Sequence, residues 1–166
     1  MSDPRAQNAV PLVAVQLLAL PVALWGRAQE HGDELVREFI LIAGNRERRP
    51  GHEVPVALTE LIEQLTASYG GFTAEQEIVL ADAALAGVAQ VDLTFHVPAH
   101  TADAVVELNA ILDAADEYCR AGEHLLTLAT PPEAVAFRRW YLGEFTRQIK
   151  GEPPLPWPEW LARNPD

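Results

Sequence analysis

The sequence has little sulfur, almost no lysine and few serines. Cys119 is its single cysteine, so no internal disulfide can form and a reducing, intracellular compartment fits best. Ser2 and Ser68 are the only serines, and neither sits in the Gly-x-Ser-x-Gly turn of a serine hydrolase. The glycine-rich phosphate loops of nucleotide-binding proteins are missing, and so is the helical His-Glu-x-x-His of zinc peptidases. No apolar run approaches the roughly 20 residues that cross a bilayer. The first residues lack the basic, apolar and small-residue succession of a secretory signal. The expectation is a cytoplasmic protein with no cofactor. Lys150 stands alone beside eleven arginines, and 24 acidic residues against 12 basic ones give a formal charge of −12. Such a surface repels nucleic acid and anionic membranes, which removes both as partners.

What is present is enough apolar material, 49% over 166 residues, for one domain that buries about 70% of its unfolded surface. Leu12 to Leu20 is a short apolar run closed by Pro21, read as a strand. Leu24, Ala28, Leu35, Phe39 and Ile42 then share one helical face up to Gly44. Gly26 and Gly32 lie inside that helix at about 1 kcal/mol each relative to Ala, a cost expected where a neighbour packs closely. The loop around Arg46, Arg48 and Arg49 follows. A helix over Val56 to Tyr69 is expected to close at Gly70-Gly71, and Thr73 with Gln76 forms a capping pattern that opens another, through about Val88. Val91 to Val97 alternates apolar and polar residues and ends at Pro98, a second strand. Thr101 is placed as the cap of a helix whose apolar face is Val105, Leu108, Leu112, Ala115 and Cys119. After Gly122, Leu125 to Leu128 is read as a third short strand. Thr130-Pro131-Pro132-Glu133 has the form of a capping box and starts a helix carrying Phe137, Trp140, Tyr141 and Phe145.

The pattern predicts an α+β fold, with a small sheet of about three strands covered by about five helices in the order β-α-α-α-β-α-β-α. Residues 1–151 form the domain and 152–166 a tail with five of the thirteen prolines and two of the four tryptophans. Val15-x-Leu17 before Leu20-Pro21 echoes Val91-x-Leu93 before Val97-Pro98, which suggests that the two strands lie side by side. The tail favours extended, polyproline-like geometry. It either clasps the domain through Trp157 and Trp160 or presents them to a partner.

Chemistry-bearing residues are sparse. His96 and His100 flank the turn at Pro98 and, with Asp92 or Asp103, are the best candidates for a metal. Asp113, Asp116 and Glu117 read as paired carboxylates or, more simply, as the wet face of a helix. His31 lies at the edge of an apolar face and is expected to be packed or hydrogen-bonded. Cys119, near a helix C-terminus and following two acids, reads as a buried structural thiol. Arg46, Arg48 and Arg49 form the basic spot of the sequence, either solvated or facing a partner.

Two stretches, LPVALWGRAQEHGDELVREFILIAG at Leu20–Gly44 and DAADEYCRAGEHLLTLATPPEAVAFRRWYLGEFTRQIKGEPPLPW at Asp113–Trp157, resemble small actinobacterial proteins associated with partner-switching genes, those of anti-sigma-factor kinases, antagonists and phosphatases. Asn109 is a superficial echo of the kinases' nucleotide-binding asparagine, with no Asp-x-Gly-x-Gly loop after it. The resemblance implies a regulatory setting and carries over no catalytic residue. The leading expectation is a non-enzymatic regulatory or adaptor protein that binds another protein through Arg46, Arg48, Arg49, Trp157 and Trp160, with a homodimer also open. The alternative is a small enzyme or ligand-binding domain with a pocket between sheet and helices, near His96, His100 and the Asp113–Glu117 acids.

Overall fold

The structure, a computed structural model, describes residues 10–44, 53–122 and 129–165. In chain order these form β1 (Leu12–Pro21), α1 (Val22–Gly44), α2 (Glu53–Leu85), β2 (Gln90–Pro98), α3 (Thr101–Ala121), α4 (Pro132–Ile149) and α5 (Trp157–Arg163). The class is α+β, with five helices and one antiparallel β1–β2 pair among the described residues. Leu125–Leu128, the expected third strand, and the arginines at 46, 48 and 49 lie outside those residues.

The two strands are neighbours, as their sequence echo suggested. Register runs from Leu12 opposite Pro98 to Leu17 opposite Leu93, breaks, and resumes with Leu20 opposite Val91. The period of two sends Val15, Leu17, Leu93, Phe95 and Val97 into the core and leaves Asp92, Thr94 and His96 exposed. At the break Ala19 adopts φ 54°, the left-handed region that strains a residue with a Cβ. Its N–H donates to the Asp92 carboxylate at 2.7 Å, which satisfies this donor at the bulge.

The second and third expected helices are one. Gly70-Gly71 does not stop α2, which runs for 33 residues. Two glycines cost about 2 kcal/mol against alanines, and α2 offsets this by burying Leu58 and Leu61 at one end and Leu80 and Ala83 at the other. The actual stop is Gly87 at φ 68°, with the Val88 N–H returning to the Ala83 carbonyl at 2.9 Å. The expected caps also fail to form. His100 and Pro131 precede α3 and α4 with no side-chain cap bond, and the Thr101 hydroxyl is buried without a partner. Nor do neighbours crowd Gly26 or Gly32, since a Cβ at either would meet nothing within 4 Å.

Two apolar clusters result. One gathers the sheet's inner face with Phe137, Trp140, Phe145 and Trp157. The other gathers Leu35, Phe39, Leu58, Ala115 and Cys119. Along the edge of β1 away from β2, Gln148 acts as a substitute strand, because its amide oxygen accepts from the Gln16 N–H at 2.8 Å and its amide nitrogen donates to the Gln16 carbonyl at 2.7 Å. Beside it Glu144, only 1% exposed, accepts from Gln148 and from the Leu155 N–H at 2.9 Å and is paired with Arg147. The Leu155 carbonyl in turn accepts from the Trp140 indole at 2.8 Å.

These bonds dock the tail. Extended geometry holds only as far as Pro156, after which Trp157 begins a short helix. The Trp157 ring is buried 5.5 Å from Trp140 and 5.9 Å from Phe137, and Trp160 stacks on it. As a test, Trp157→Ala is expected to lower stability in urea by about 3–5 kcal/mol, in the range for a buried aromatic. A loss below about 1 kcal/mol would contradict a docked tail.

Candidate functional site

The approach to α4 is where the most unlike side chains meet. Thr130 does not cap α4. Its backbone N–H and its hydroxyl both donate to Oδ1 of Asp116 on α3, the former at 3.2 Å. Oδ2 of the same carboxylate accepts from Arg138 Nη1 at 3.0 Å, and Arg138 Nη2 reaches Asp113. The three-residue spacing of Asp113 and Asp116 puts both on one face of α3, within reach of one planar guanidinium. Asp116 is 3% exposed, so the solvated-face reading is corrected for this residue. Burial is tolerated because a cation and two neutral donors satisfy it. Glu117, on the outer side, is solvated and pairs with Arg120.

His31 Nε2 lies 3.1 Å from the Thr130 hydroxyl oxygen. A carboxylate can only accept, so the hydroxyl proton points at Asp116 and His31 is the donor to Thr130. This order is the reverse of a nucleophile relay, which needs the imidazole to accept. Both Asp116 oxygens are already engaged, which leaves this carboxylate poorly placed as a general base.

Inside this corner lies a cavity of about 310 Å³ between β2 and helices α1 to α4. Trp25, Phe95, Leu80, Leu112, Phe137 and Tyr141 supply apolar walls, and His31, Gln76, Glu77, Thr130 and Arg138 supply polar points. Two of the polar residues are unsatisfied. Gln76 donates to the Thr94 carbonyl at 2.7 Å, but its Oε1 is buried with no partner, as is Nε of Arg138. Burial first, and Glu77 second, push the Tyr141 phenol far above its ordinary range, so it stays protonated. The volume and lining are those of a small-molecule site.

On the other side of Thr130 is a shallow groove lined by Arg120, Arg139, Arg163, Trp160, Pro131 and Pro132. Among the described residues no carboxylate lines it. Thr130 lines both features, and the consecutive Arg138 and Arg139 serve the cavity and the groove respectively.

Of the residues singled out in the sequence, Asp113 and Asp116 come together on Arg138. Trp160 reaches the groove, whereas Trp157 is committed to the core. His96 and His100 are exposed and line neither feature, with the His100 ring 6.0 Å from Tyr69. Among the described residues no group of three His, Cys, Asp or Glu is arranged to hold a metal. Sequence reasoning passed over Arg138 and Arg139 and read Gln76 as part of a capping pattern. The available signal was the pair of cations at 138 and 139 among the aromatics of FRRWY, of which Arg138 lies on the side of α4 that turns inward. Comparison of the chain with protein-family models, curated proteins and solved structures finds no match.

Cys119 is buried near the same corner. Its thiol is pushed up to about 11, first by burial, then by Asp116 and Glu38, with Arg120 opposing. A raised folded value means that the contribution to stability is complete below the unfolded value of 9.0 and is lost as pH rises through 11. Tyr141 acts in the same direction above pH 10. Stability measured in urea is therefore expected to fall between pH 9 and 11, less steeply in Cys119→Ala. Equal slopes in both proteins would contradict the burial of this thiol.

Proposed function

We propose that the chain is a non-enzymatic regulatory or adaptor protein that acts by binding another protein, in sigma-factor or stress-response control within the cytoplasm. The observation that carries the binding mode is the arginine groove around Trp160. On a chain of charge −12, three arginines line one groove with a half-buried indole; Arg120 pairs with Glu117 and Arg163 with Glu159, and Arg139 has no ion pair among the described residues. An acidic segment of a partner protein complements this groove and is repelled elsewhere. Arg and Trp are also the side chains most able to concentrate binding energy. The Arg46–Arg49 segment adds further positive charge in the sequence. The control circuit rests on the resemblance of Leu20–Gly44 and Asp113–Trp157. Among the described residues no helix is long and apolar enough to cross a membrane.

The central cavity favours a second reading, a ligand-binding domain with its pocket between sheet and helices. Cavity and groove share Thr130, so the two readings are compatible in one molecule.

The test is capture of the tagged chain from its own cells at low and moderate salt, beside an Arg139→Glu/Arg163→Glu variant. The expected result is a stoichiometric partner with an acidic segment, held by the wild type at low salt and lost both at moderate salt and in the variant. An identical partner yield from the variant would overturn the groove. Recovery of the wild type alone at both salts would overturn the adaptor reading.

A further inference from the structure

The cavity is more selective than its apolar lining alone implies. Four rings face it, from Trp25 on α1, Phe95 on β2 and Phe137 and Tyr141 on α4. Tyr141 packs on both Phe95 and Phe137, with centroids 6.3 and 5.8 Å apart. Ring faces carry negative potential and attract a cation within about 6 Å. Gln76 Oε1 is buried and unpaired, an acceptor waiting for a donor. Glu77 lines the same space, with one carboxylate oxygen held by Thr73 at 3.0 Å.

The formal charges agree. The Arg138 guanidinium is already shared between Asp113 and Asp116. Asp113 and Asp116, which do not themselves line the cavity, neutralise Arg138, so Glu77 is the carboxylate of the lining that no arginine pairs among the described residues. Glu77 is an exposed residue of the lining, and there it repels an anion and attracts a cation. Arg138 Nε remains as one unpaired donor, enough for a single ether or carbonyl oxygen on the same ligand.

We infer that the cavity binds a compact, mainly apolar or aromatic amine, with the ammonium group among the Tyr141 and Phe137 rings, Gln76 Oε1 and Glu77, and the apolar part toward Leu80, Leu112 and Trp25. This rests on the ligand-binding reading of the cavity and goes beyond it by assigning the sign of the ligand. Gly32 offers a clean block, because it lines the cavity and a Cβ there meets nothing within 4 Å. A leucine at 32 fills the space and improves helix propensity at the same time.

The experiment is isothermal titration of the full chain with three molecules of one skeleton: phenylbutylamine, phenylbutanol and phenylbutyrate. The expected order is the amine at least about tenfold tighter than the alcohol, consistent with cation–π and charge attraction in a partly desolvated site, and the carboxylate weakest. Glu77→Gln is expected to shrink the amine's advantage several-fold and to leave the alcohol unchanged, and Gly32→Leu to abolish binding of both. Alcohol equal to amine, or carboxylate tightest, overturns the assignment of charge while the cavity stands as a ligand site. Amine binding that survives Gly32→Leu is attraction to the acidic surface and overturns the assignment. Binding of none of the three overturns the ligand-site reading as well.

Discussion

The structure depends on one buried fork, in which Arg138 reaches Asp113 and Asp116 while Thr130 donates twice to Asp116. Such an ion pair contributes little net stability when formed, because desolvation offsets attraction. Breaking it by removing one partner costs roughly 3–5 kcal/mol. Its value is geometric. It ties the end of α3 to the first turns of α4 and fixes how α4 approaches the sheet. Phe137, Trp140 and Phe145 then face the strands, and Arg139 on the opposite side faces outward. With His31 bonded to Thr130, α1 joins the same corner. The two apolar clusters meet along this polar seam rather than merging into one core, and the cavity lies along that seam.

A second constraint follows from the sheet, which among the described residues is the β1–β2 pair. A two-stranded ribbon is marginal in water and its edges invite pairing. This fold covers the β1 edge with the Gln148 amide and secures that amide with Glu144, whose other contacts catch the tail at Leu155. Tail docking and edge protection are therefore one network. It accounts for a carboxylate at 144 in the core, which without the Gln148, Arg147 and Leu155 donors would be prohibitively costly to bury.

The sequence was most informative where periodicity reports burial directly. Alternation located β2, an apolar run closed by Pro21 located β1, and helical spacing located α1 and α3 with their apolar faces. Local punctuation was less dependable. Gly70-Gly71 resembles a helix stop, yet packing at both ends of α2 outweighs two glycines, and the residue that ends the helix is Gly87 in a left-handed conformation. Thr101 and Thr130 have the right place for caps. One hydroxyl is buried without a bond and the other is taken by Asp116, 14 residues earlier. The burial of Asp116 was illegible for the same reason, since it depends on a guanidinium 22 residues away. The cavity has no local signature at all. Trp25, Gln76, Phe95, Leu112 and Tyr141 come from five elements, and only the tertiary arrangement makes them neighbours.

The most direct measurement of this account is amide hydrogen exchange at Thr130, a residue outside any helix or strand whose N–H is bonded only to the Asp116 carboxylate. If the fork holds the wall between cavity and groove, that amide exchanges as slowly as those in the interior of α4, opening only with larger unfolding, and is released in Arg138→Met. Exchange in the wild type at the rate of a solvent-exposed loop would contradict the fork, and with it the placement of both the cavity and the groove.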